Sequence, residues 1–275
     1  MDYNRDYFKG KTAVVTGGAG GIGLALTEEL LESGAAKVVI ADIRQDRLDE
    51  ALEKLHSAYD AERVKAIQCD VTKEDQVQSL ITQAAAYFDG SFDILFNNAG
   101  AAFEGWFDDM TNEDWEIAFN LNFYSALYGM RAVIPIMKAQ GGGQIINTIS
   151  GIAFVPMSKQ TRYAATKAAL NGLSLAMRAE YWDDNIKISP ATPGTTATYI
   201  FTDAGFTAPP SAQTPHQSAS RILHGVVNND RIILGDDGDV SGASYGFHPE
   251  AAKNFDDYSL MTARERRQGI VDFHV

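Results

Sequence analysis

The sequence predicts an α/β fold in which a doubly wound parallel β-sheet carries helices on both faces. Three observations support this prediction. Short runs of β-branched and apolar residues alternate with longer amphipathic runs along the 275-residue chain. The first six apolar runs are nearly continuous, which is typical of parallel strands buried on both faces. The residues with distinctive chemistry follow the ends of these runs, where open α/β sheets bind their ligands.

Seven strands are expected in order along the chain. Their ranges are 12–16, 37–42, 64–70, 92–100, 143–150, 186–194 and 231–236. The segments between them carry helical spacing of apolar residues, and Gly34 is expected to end the first helix. One long helix is expected after the fourth strand, from a Thr111 cap with Asp114 three residues on. No linker or repeat divides the chain, so residues 1–275 are expected to form a single domain.

The composition argues against several classes of function. The formal net charge is −13, from 23 Lys and Arg against 36 Asp and Glu. That balance disfavours nucleic-acid and anionic-membrane partners, whose phosphates need concentrated positive charge. No apolar run reaches the length of a membrane span, and the first residues lack the apolar core of a secretory signal. With one cysteine and five scattered histidines, we expect a cytoplasmic protein with no metal site.

A glycine-rich turn, TGGAGGIG, follows the first strand and precedes a helix. Glycines at Gly17, Gly21 and Gly23 allow the backbone to approach a pyrophosphate at the helix N-terminus. Asp42 follows Gly23 by 19 residues and ends the next strand. Its carboxylate is placed to bind an adenosine ribose and to repel a 2′-phosphate, which predicts NAD(H). Arg44 is close enough in sequence to attract a 2′-phosphate, so NADP(H) stays open as the alternative.

Tyrosine and lysine stand four residues apart in the run RYAATK, as Tyr163 and Lys167. This spacing places both on one helix face, where a lysine cation favours the phenolate form of tyrosine and lowers its pKa. The spacing alone is weak evidence, because Tyr7 and Lys11 repeat it near the start of the chain. At this point the choice between a catalytic pair and two residues that only share a helix face stays open.

Together these motifs resemble the short-chain dehydrogenase/reductase family over about residues 8–200. The resemblance implies a Rossmann fold, a nicotinamide cofactor and a catalytic tetrad. It also identifies Asn122, seven residues after Trp115, as the tetrad's asparagine, and Ser150, thirteen residues before Tyr163, as its serine. Only the Tyr163–Lys167 pair matches this pattern, so we expect that pair to be catalytic. The implied tetrad is Asn122, Ser150, Tyr163 and Lys167. The implied cofactor-binding residues are Gly17, Gly21, Ile22, Gly23, Asp42, Ile43, Asp70, Val71, Asn98, Ala99, Gly100, Tyr163, Lys167, Pro193, Gly194, Thr196 and Thr198.

The resemblance implies an NAD(H)-dependent oxidoreductase that interconverts a secondary alcohol and its ketone, and a homodimer or homotetramer. Tyr163 would exchange the hydroxyl proton with help from Lys167, Ser150 would hold the substrate oxygen, and Asn122 would belong to a water-linked proton path. An NADP(H)-dependent carbonyl reductase is the alternative enzyme. A nucleotide-sensing or scaffold protein without chemistry is the alternative class, and the presence of all four catalytic residue types disfavours it.

From about residue 200 the chain departs from the commonest ending of the family, so residues 195–275 are expected to form a substrate lid and a divergent C-terminal segment. Apolar residues near the expected pocket suggest a bulky apolar substrate, although they could equally serve the core or a subunit contact. They are Phe103, Trp106, Phe154, Met157, Phe201 and Phe206. Residues 195–217 lack regular periodicity, so we expect this segment to order over bound cofactor and substrate.

Overall fold

Within residues 3–202 and 207–270, which this computed structural model describes, six parallel strands form one sheet in the order β3–β2–β1–β4–β5–β6. Strands β1 to β3 follow one another toward one edge of the sheet, and β4 to β6 follow one another toward the other edge, as in a doubly wound sheet. The switch point lies between β1 and β4. The strands are β1 (Thr12–Thr16), β2 (Lys37–Asp42), β3 (Val64–Gln68), β4 (Ile94–Asn97), β5 (Gly143–Thr148) and β6 (Ile186–Ala191).

Helices cover both faces of this sheet. They are α1 (Gly21–Glu32), α2 (Gln45–Ala58), α3 (Glu74–Tyr87), α4 (Asn112–Phe119), α5 (Ser125–Gln140), α6 (Thr161–Glu180), α7 (Tyr199–Thr202), α8 (Pro215–Asn228), α9 (Asp237–Tyr245) and α10 (Ala252–Arg267). Helices α1, α2 and α8 pack on one face, and α3, α5 and α6 pack on the other. No helix in the described part of the chain is long and apolar enough to cross a bilayer.

The apolar strand runs supply both layers of the core. Val14 and Val15 are adjacent in β1 and both fully buried, yet they belong to different clusters on opposite faces. Successive side chains of a strand point to opposite faces, so a strand covered on both sides must be apolar throughout. The predicted fold class is confirmed, and Ser33 with Gly34 ends α1 as expected.

The expectation of a seventh strand at residues 231–236 is wrong. A single bridge joins Ile233 to Ala191 at the edge of β6. Thr192 N–H donates to the carbonyl of Ile233, whose own N–H donates to the carbonyl of Pro190. The next rung would need an N–H on Pro190, which proline lacks. At the other end, the Gly235 N–H donates to the Thr192 hydroxyl and not to backbone, so the ladder stops.

The long helix expected after β4 is present over residues 112–140, and it contains a π-helical turn that the sequence pattern did not predict. The predicted cap is correct, because the Thr111 hydroxyl and the Asp114 carboxylate form a reciprocal capping box at the start of α4. Between α4 and α5 the backbone forms a π-helical turn at Asn120–Tyr124. Such turns insert an extra residue into a helix and are frequent at functional sites. This one carries Asn122, which is 1% exposed.

Candidate active site

A groove of about 760 Å³ crosses the carboxyl ends of the strands. This is where an open α/β sheet binds ligands, and the volume is within the range of ordinary small-molecule sites. Most of the residues predicted to bind a cofactor line it. They are Gly17, Gly21, Ile22, Asp42, Ile43, Asp70, Val71, Asn98, Ala99, Gly100, Tyr163, Lys167, Pro193 and Thr198.

Three predicted cofactor residues do not line the groove but shape its walls. A Cβ on Gly23 would lie 2.1 Å from the carbonyl oxygen of Gly17, so only glycine lets α1 pack against the turn. Gly194 has a φ of +69° and packs against the Asp236 carboxylate. Thr196 is buried, and its hydroxyl donates to the carbonyl of Gly194 at 3.0 Å.

Several groove residues were not predicted from the sequence, although Arg44 was weighed as the sign of the alternative cofactor. They are Gly20, Arg47, Cys69, Thr72, Ala101, Ala102, Leu121, Thr148, Ile149 and Tyr199. Most are neighbours of predicted residues at the same strand ends. Arg47 and Tyr199 come from α2 and α7, and no motif marks them.

The N-terminus of α1 is suited to an anion. Its cap residue Gly20 offers no side-chain hydrogen bond, and the first turn of the helix holds no acidic residue. The unpartnered N–H groups of a helix N-terminus and the helix dipole together favour phosphate. The turn before the helix needs glycine at Gly17, where φ is +64° and a Cβ would lie 3.0 Å from the Cα of Ala99. These residues fit the pyrophosphate of a dinucleotide.

The Asp42 carboxylate organises the adenosine side of the groove. One oxygen accepts a hydrogen bond from the Arg44 N–H at 3.1 Å, and the other accepts from the Ala19 N–H at 3.4 Å. The guanidinium of Arg44 donates two hydrogen bonds to Asp46, at 2.9 and 2.6 Å. Much of the positive charge of Arg44 is therefore already matched by a neighbouring carboxylate.

Tyr163 and Ser150 meet at the buried side of the groove. The Ser150 side chain lies close enough to the Tyr163 phenol to act on its pKa, and the tyrosine and the serine are 5% and 8% exposed. Burial raises the pKa of Tyr163 to about 12, the Ser150 side chain lowers it, and the negative charge of Asp239 raises it further. The Tyr–Lys spacing had predicted a lowered pKa. In this site the desolvation of the phenolate outweighs the helix-face effect.

Lys167 lies deep beside the tyrosine. Its ammonium donates to the carbonyl of Thr148 at 2.8 Å and lies 5.8 Å from the centre of the Tyr163 ring. Burial lowers the pKa of Lys167 to about 8. A Cβ on Gly100 would lie 3.3 Å from the lysine nitrogen and 2.9 Å from the Oδ1 of Asn122. Glycine at position 100 thus leaves room for both polar groups.

The Asn122 side chain holds the loop after β4. Its Oδ1 accepts from the Ala101 N–H at 3.1 Å, and its Nδ2 donates to the Ala101 carbonyl at 2.9 Å and to the Thr166 hydroxyl at 3.4 Å. The four residues of the implied tetrad are therefore brought to one side of the groove by β5, α6 and the π-helical turn. The water-linked proton path through Asn122 stays a prediction.

The expected substrate residues divide into different environments. Phe103 and Met157 pack against the apolar cluster that contains Tyr163. The guanidinium carbon of Arg267 in α10 lies 4.3 Å from the centre of the Trp106 ring. Phe154 is buried in a core cluster with Ile149 and Leu170, a position that favours packing over substrate contact.

Two further aromatic residues were expected at the substrate. Phe201 is 2% exposed, so its side chain is enclosed by protein. Phe206 lies outside the described residues.

The second Tyr–Lys pair lies far from this groove. Lys11 directly precedes β1, at the amino end of the sheet, and its nitrogen lies 5.0 Å from the centre of the Tyr7 ring. The Tyr7 hydroxyl donates to the Oε1 of Gln144 at 2.9 Å. This tyrosine therefore has a structural hydrogen-bond partner and lies at the end of the sheet opposite the groove.

The family model described as short chain dehydrogenase matches residues 11–206. The chain belongs to the short-chain dehydrogenase/reductase family. Members of this family are oxidoreductases that act on CH–OH groups with a nicotinamide cofactor. The chain is 36% identical over 190 residues to a 3alpha-hydroxysteroid dehydrogenase of Mediterraneibacter gnavus, an alignment that covers 69% of this chain and 75% of that protein.

Other members show the same relationship. A tropinone reductase homolog of Arabidopsis thaliana is 34% identical over 233 residues, which cover 81% of this chain and 88% of the homolog. The structure of a short-chain dehydrogenase from Mycobacterium smegmatis superposes with a TM-score of 0.74 at 29% identity, covering 86% of this chain and 95% of that one. Levodione reductase gives a TM-score of 0.77 at 25% identity, covering 86% and 100%.

Proposed function

We propose that this member of the family is an NAD(H)-dependent oxidoreductase that interconverts a bulky, apolar secondary alcohol and its ketone. The observation that carries the proposal is that Ser150, Tyr163 and Lys167 are buried together: Ser150 lies close enough to act on the Tyr163 phenol, and the Lys167 ammonium lies 5.8 Å from the centre of the Tyr163 ring. A nicotinamide cofactor bound in the groove supplies or accepts the hydride. The chain supplies the proton and holds the substrate oxygen.

In the oxidation direction, the C–H bond of the carbinol carbon breaks with its electron pair, and the hydroxyl proton passes to the Tyr163 oxygen. In the reduction direction, the Tyr163 phenol donates that proton to the carbonyl oxygen. Ser150 orients the substrate oxygen toward the phenol. The Lys167 ammonium provides the positive charge that favours the phenolate when it forms. Asn122 keeps the Ala101 loop in place beside them.

Asp42 supports NAD(H) as the cofactor. A 2′-phosphate placed near this carboxylate would meet a like charge, and a desolvated like-charge contact costs more than the 1.4 kcal/mol that corresponds to about tenfold in affinity. The alternative is NADP(H), for which Arg44 and Arg47 on the same rim would have to supply the phosphate site. The pairing of Arg44 with Asp46 weakens this alternative.

The substrate side supports an apolar alcohol or ketone. Phe103 and Met157 pack beside Tyr163 together with Ala102 and Ile152, and apolar side chains there favour apolar substrate surface. The similarity to a 3alpha-hydroxysteroid dehydrogenase is in keeping with a bulky substrate. We also expect a homodimer or homotetramer, to be measured by light scattering.

The test is a panel of cyclic and acyclic secondary alcohols and ketones, run with each of the four nicotinamide cofactors. We expect turnover with NAD(H) that exceeds turnover with NADP(H). Tyr163→Phe serves as the inactive control, and Tyr7→Phe as the matched variant at the second Tyr–Lys pair. Cofactor binding without turnover of any compound would instead favour a nucleotide-sensing protein.

A further inference from the structure

Asp239 lies in the first turn of α9, beyond residues 11–206 that the family model covers. The residue is only 8% exposed, although it is charged. Asp236 caps the helix, and its carboxylate accepts a hydrogen bond from the Asp239 N–H at 2.8 Å. This cap fixes the start of α9 and with it the direction of the buried carboxyl group.

The carboxyl group of Asp239 contacts the turn that carries Ser150. Its Oδ1 lies 2.1 Å from where a Cβ on Gly151 would be, so the oxygen rests directly against the backbone of that glycine. The same carboxyl lies near the Thr192 hydroxyl and the backbone of Gly194, and both act on its pKa. Asp239 therefore joins the turn after β5 to the loop after β6, the two segments that flank the buried side of the groove.

Helix α9 is held close enough for this contact by two further glycines. A Cβ on Gly242 would lie 3.1 Å from the side chain of Val155, and a Cβ on Gly246 would lie 2.5 Å from the carbonyl oxygen of Phe154. These glycines allow α9 to pack tightly along the segment that follows Ser150.

The charge of Asp239 is poorly compensated. Its Oδ2 is buried and has no hydrogen-bond partner among the described residues. Burial raises the pKa of Asp239 to about 6, the nearby Thr192 hydroxyl lowers it, and Asp236 raises it. The group is thus still mostly ionised at neutral pH, and its charge acts on Tyr163. Among the described residues, the titratable groups that interact with Asp239 are Asp236 at the start of α9 and Tyr163 in α6.

We propose that Asp239 is a positioning residue of this active site: it fixes the Ser150 turn and favours the protonated phenol of Tyr163. A protonated phenol is the form that donates a proton to a carbonyl oxygen, so the ionised carboxylate favours ketone reduction at neutral pH. The inference rests on the proposed function, because it concerns the same proton transfer. It adds a residue from the C-terminal part of the chain to the site.

The first test compares the pH dependence of alcohol oxidation in the unmutated enzyme and in Asp239→Asn. Removing the negative charge lowers the pKa of Tyr163, so the alkaline rise in rate should move down by roughly 0.5 pH unit or more. Asp237→Asn is the matched control, because it removes an exposed charge from the same helix turn and should leave the profile unchanged. An unshifted profile in Asp239→Asn would overturn the electrostatic role. If Asp239→Asn does not fold, Asp239→Thr should shift the pH profile by the same amount, because it also removes the charge.

The second test addresses the contact without turnover. Gly151→Ala places a methyl group on the Asp239 oxygen and should lower the melting temperature clearly. Adding Asp239→Ala removes the clash, so the double variant should recover most of the loss, as a coupled pair does in a double-mutant cycle. If Gly151→Ala lowers the melting temperature equally with Asp239 and with Ala at position 239, the contact between the two residues is refuted.

The third test measures the charge of Asp239 from protein stability and needs no substrate. A failure to find any substrate would count against the proposed function and would leave this test unaffected. The folded-state pKa of Asp239 is above the unfolded value, so the carboxyl destabilises the fold increasingly as pH rises from about 4 to about 6. Asp239→Asn should therefore gain stability relative to the unmutated protein between these pH values. If the two proteins differ in free energy of urea unfolding by the same amount across these pH values, Asp239 does not carry a buried charge.

Discussion

The guanidinium carbon of Arg47 lies 4.3 Å from the centre of the Tyr199 ring, which joins α2 to α7 across the rim of the groove. The same ring lies over the phosphate turn, since a Cβ on Gly20 would be 2.7 Å from its Cε2. Thr198 covers the next residue in the same way, 3.2 Å from a Cβ on Gly21. Arg47 and Tyr199 thus lie over the end of the groove that is suited to a pyrophosphate, and we call this pair the clasp.

Loss of this clasp should speed the release of NADH. A cation–π contact at a partly exposed site is worth about 0.5–1 kcal/mol, and the ring adds contact area over the turn. We expect Tyr199→Ala to raise the dissociation rate about five- to tenfold, and Tyr199→Phe to change it little because the ring remains. Stopped-flow fluorescence of NADH measures both. Release at the unmutated rate from Tyr199→Ala would show that the clasp does not retain the cofactor.

Asp42 should determine the choice of cofactor. We expect kcat/KM with NAD to exceed that with NADP by at least about tenfold, which corresponds to about 1.4 kcal/mol. Asp42→Ala should narrow the ratio, since the like charge opposite the 2′-phosphate is gone. Asp46→Ala is an informative companion, because it releases the Arg44 guanidinium from its present partner. Equal rates with both cofactors in the unmutated enzyme would contradict the assignment.

Tyr163 should be indispensable for turnover. Tyr163→Phe removes the proton donor while the ring continues to pack, so we expect kcat to fall by roughly 10²- to 10⁴-fold or more with little change in NADH affinity. Tyr7→Phe loses only the hydrogen bond to Gln144 and should retain full activity. Steady-state kinetics with fluorescence binding separates the two effects. Appreciable turnover by Tyr163→Phe would refute the tetrad.

The buried Lys167 should lower the stability of the fold, although activity requires it. Its folded-state pKa of about 8 lies below the ordinary 10.5, so burying the cation costs about 3 kcal/mol at pH 7. Lys167→Met avoids that cost but loses the hydrogen bond to Thr148, worth about 1 kcal/mol. We expect an inactive variant that is about 1–2 kcal/mol more stable at pH 7. The penalty disappears as pH rises from about 8 toward 10.5, so the gain should shrink on that interval.

Chemical denaturation at pH 7 and at about pH 10 measures this gain. Lys11→Met is the control, because Lys11 is only half-buried at the other end of the sheet. A Lys167→Met variant less stable than the unmutated protein at pH 7 would contradict the expected cost of burial.

Residues 195–217 should become protected when cofactor and substrate bind. Both ends of this segment are tied together, since the Gln213 N–H donates to the Thr195 carbonyl and the Ala197 N–H to the Gln213 carbonyl, each at 2.9 Å. We expect hydrogen exchange of the amides between these ties to slow by about tenfold or more on ligand binding. Exchange at the same rate with and without ligands would identify the segment as a static wall.

The sequence predicted the sheet well because each strand is marked by a local pattern. Runs such as β1 and β2 are buried on both faces and therefore apolar throughout, and their predicted bounds agree with the structure. The segment at 231–236 has the same local pattern but forms only a single bridge with the edge of β6. The reason lies on another strand, where Pro190 lacks the N–H that the next rung needs. Pairing is a property of two segments, and a pattern in one does not determine it.

The candidate site shows the same limit. Residues next to a strand end, such as Asp42 and Gly100, were found because the rule for open sheets places them there. Asp239 was missed because its partner is Gly151, distant in sequence and without a side chain. A signal did exist. Gly238, Gly242 and Gly246 recur every four residues, a spacing that marks a helix face able to pack against backbone.

The tight packing of α9 against the Ser150 turn bears on how enzymes of this kind can be recombined. The C-terminal quarter, after residue 206, is an attractive segment to exchange between relatives when a new substrate preference is wanted. In this protein the exchange would also remove a carboxyl that contacts the backbone of Gly151. A hybrid built at the end of the family match would therefore differ from its parent in working pH as well as in selectivity. Screening such hybrids at a single pH would discard variants whose only fault is a displaced optimum.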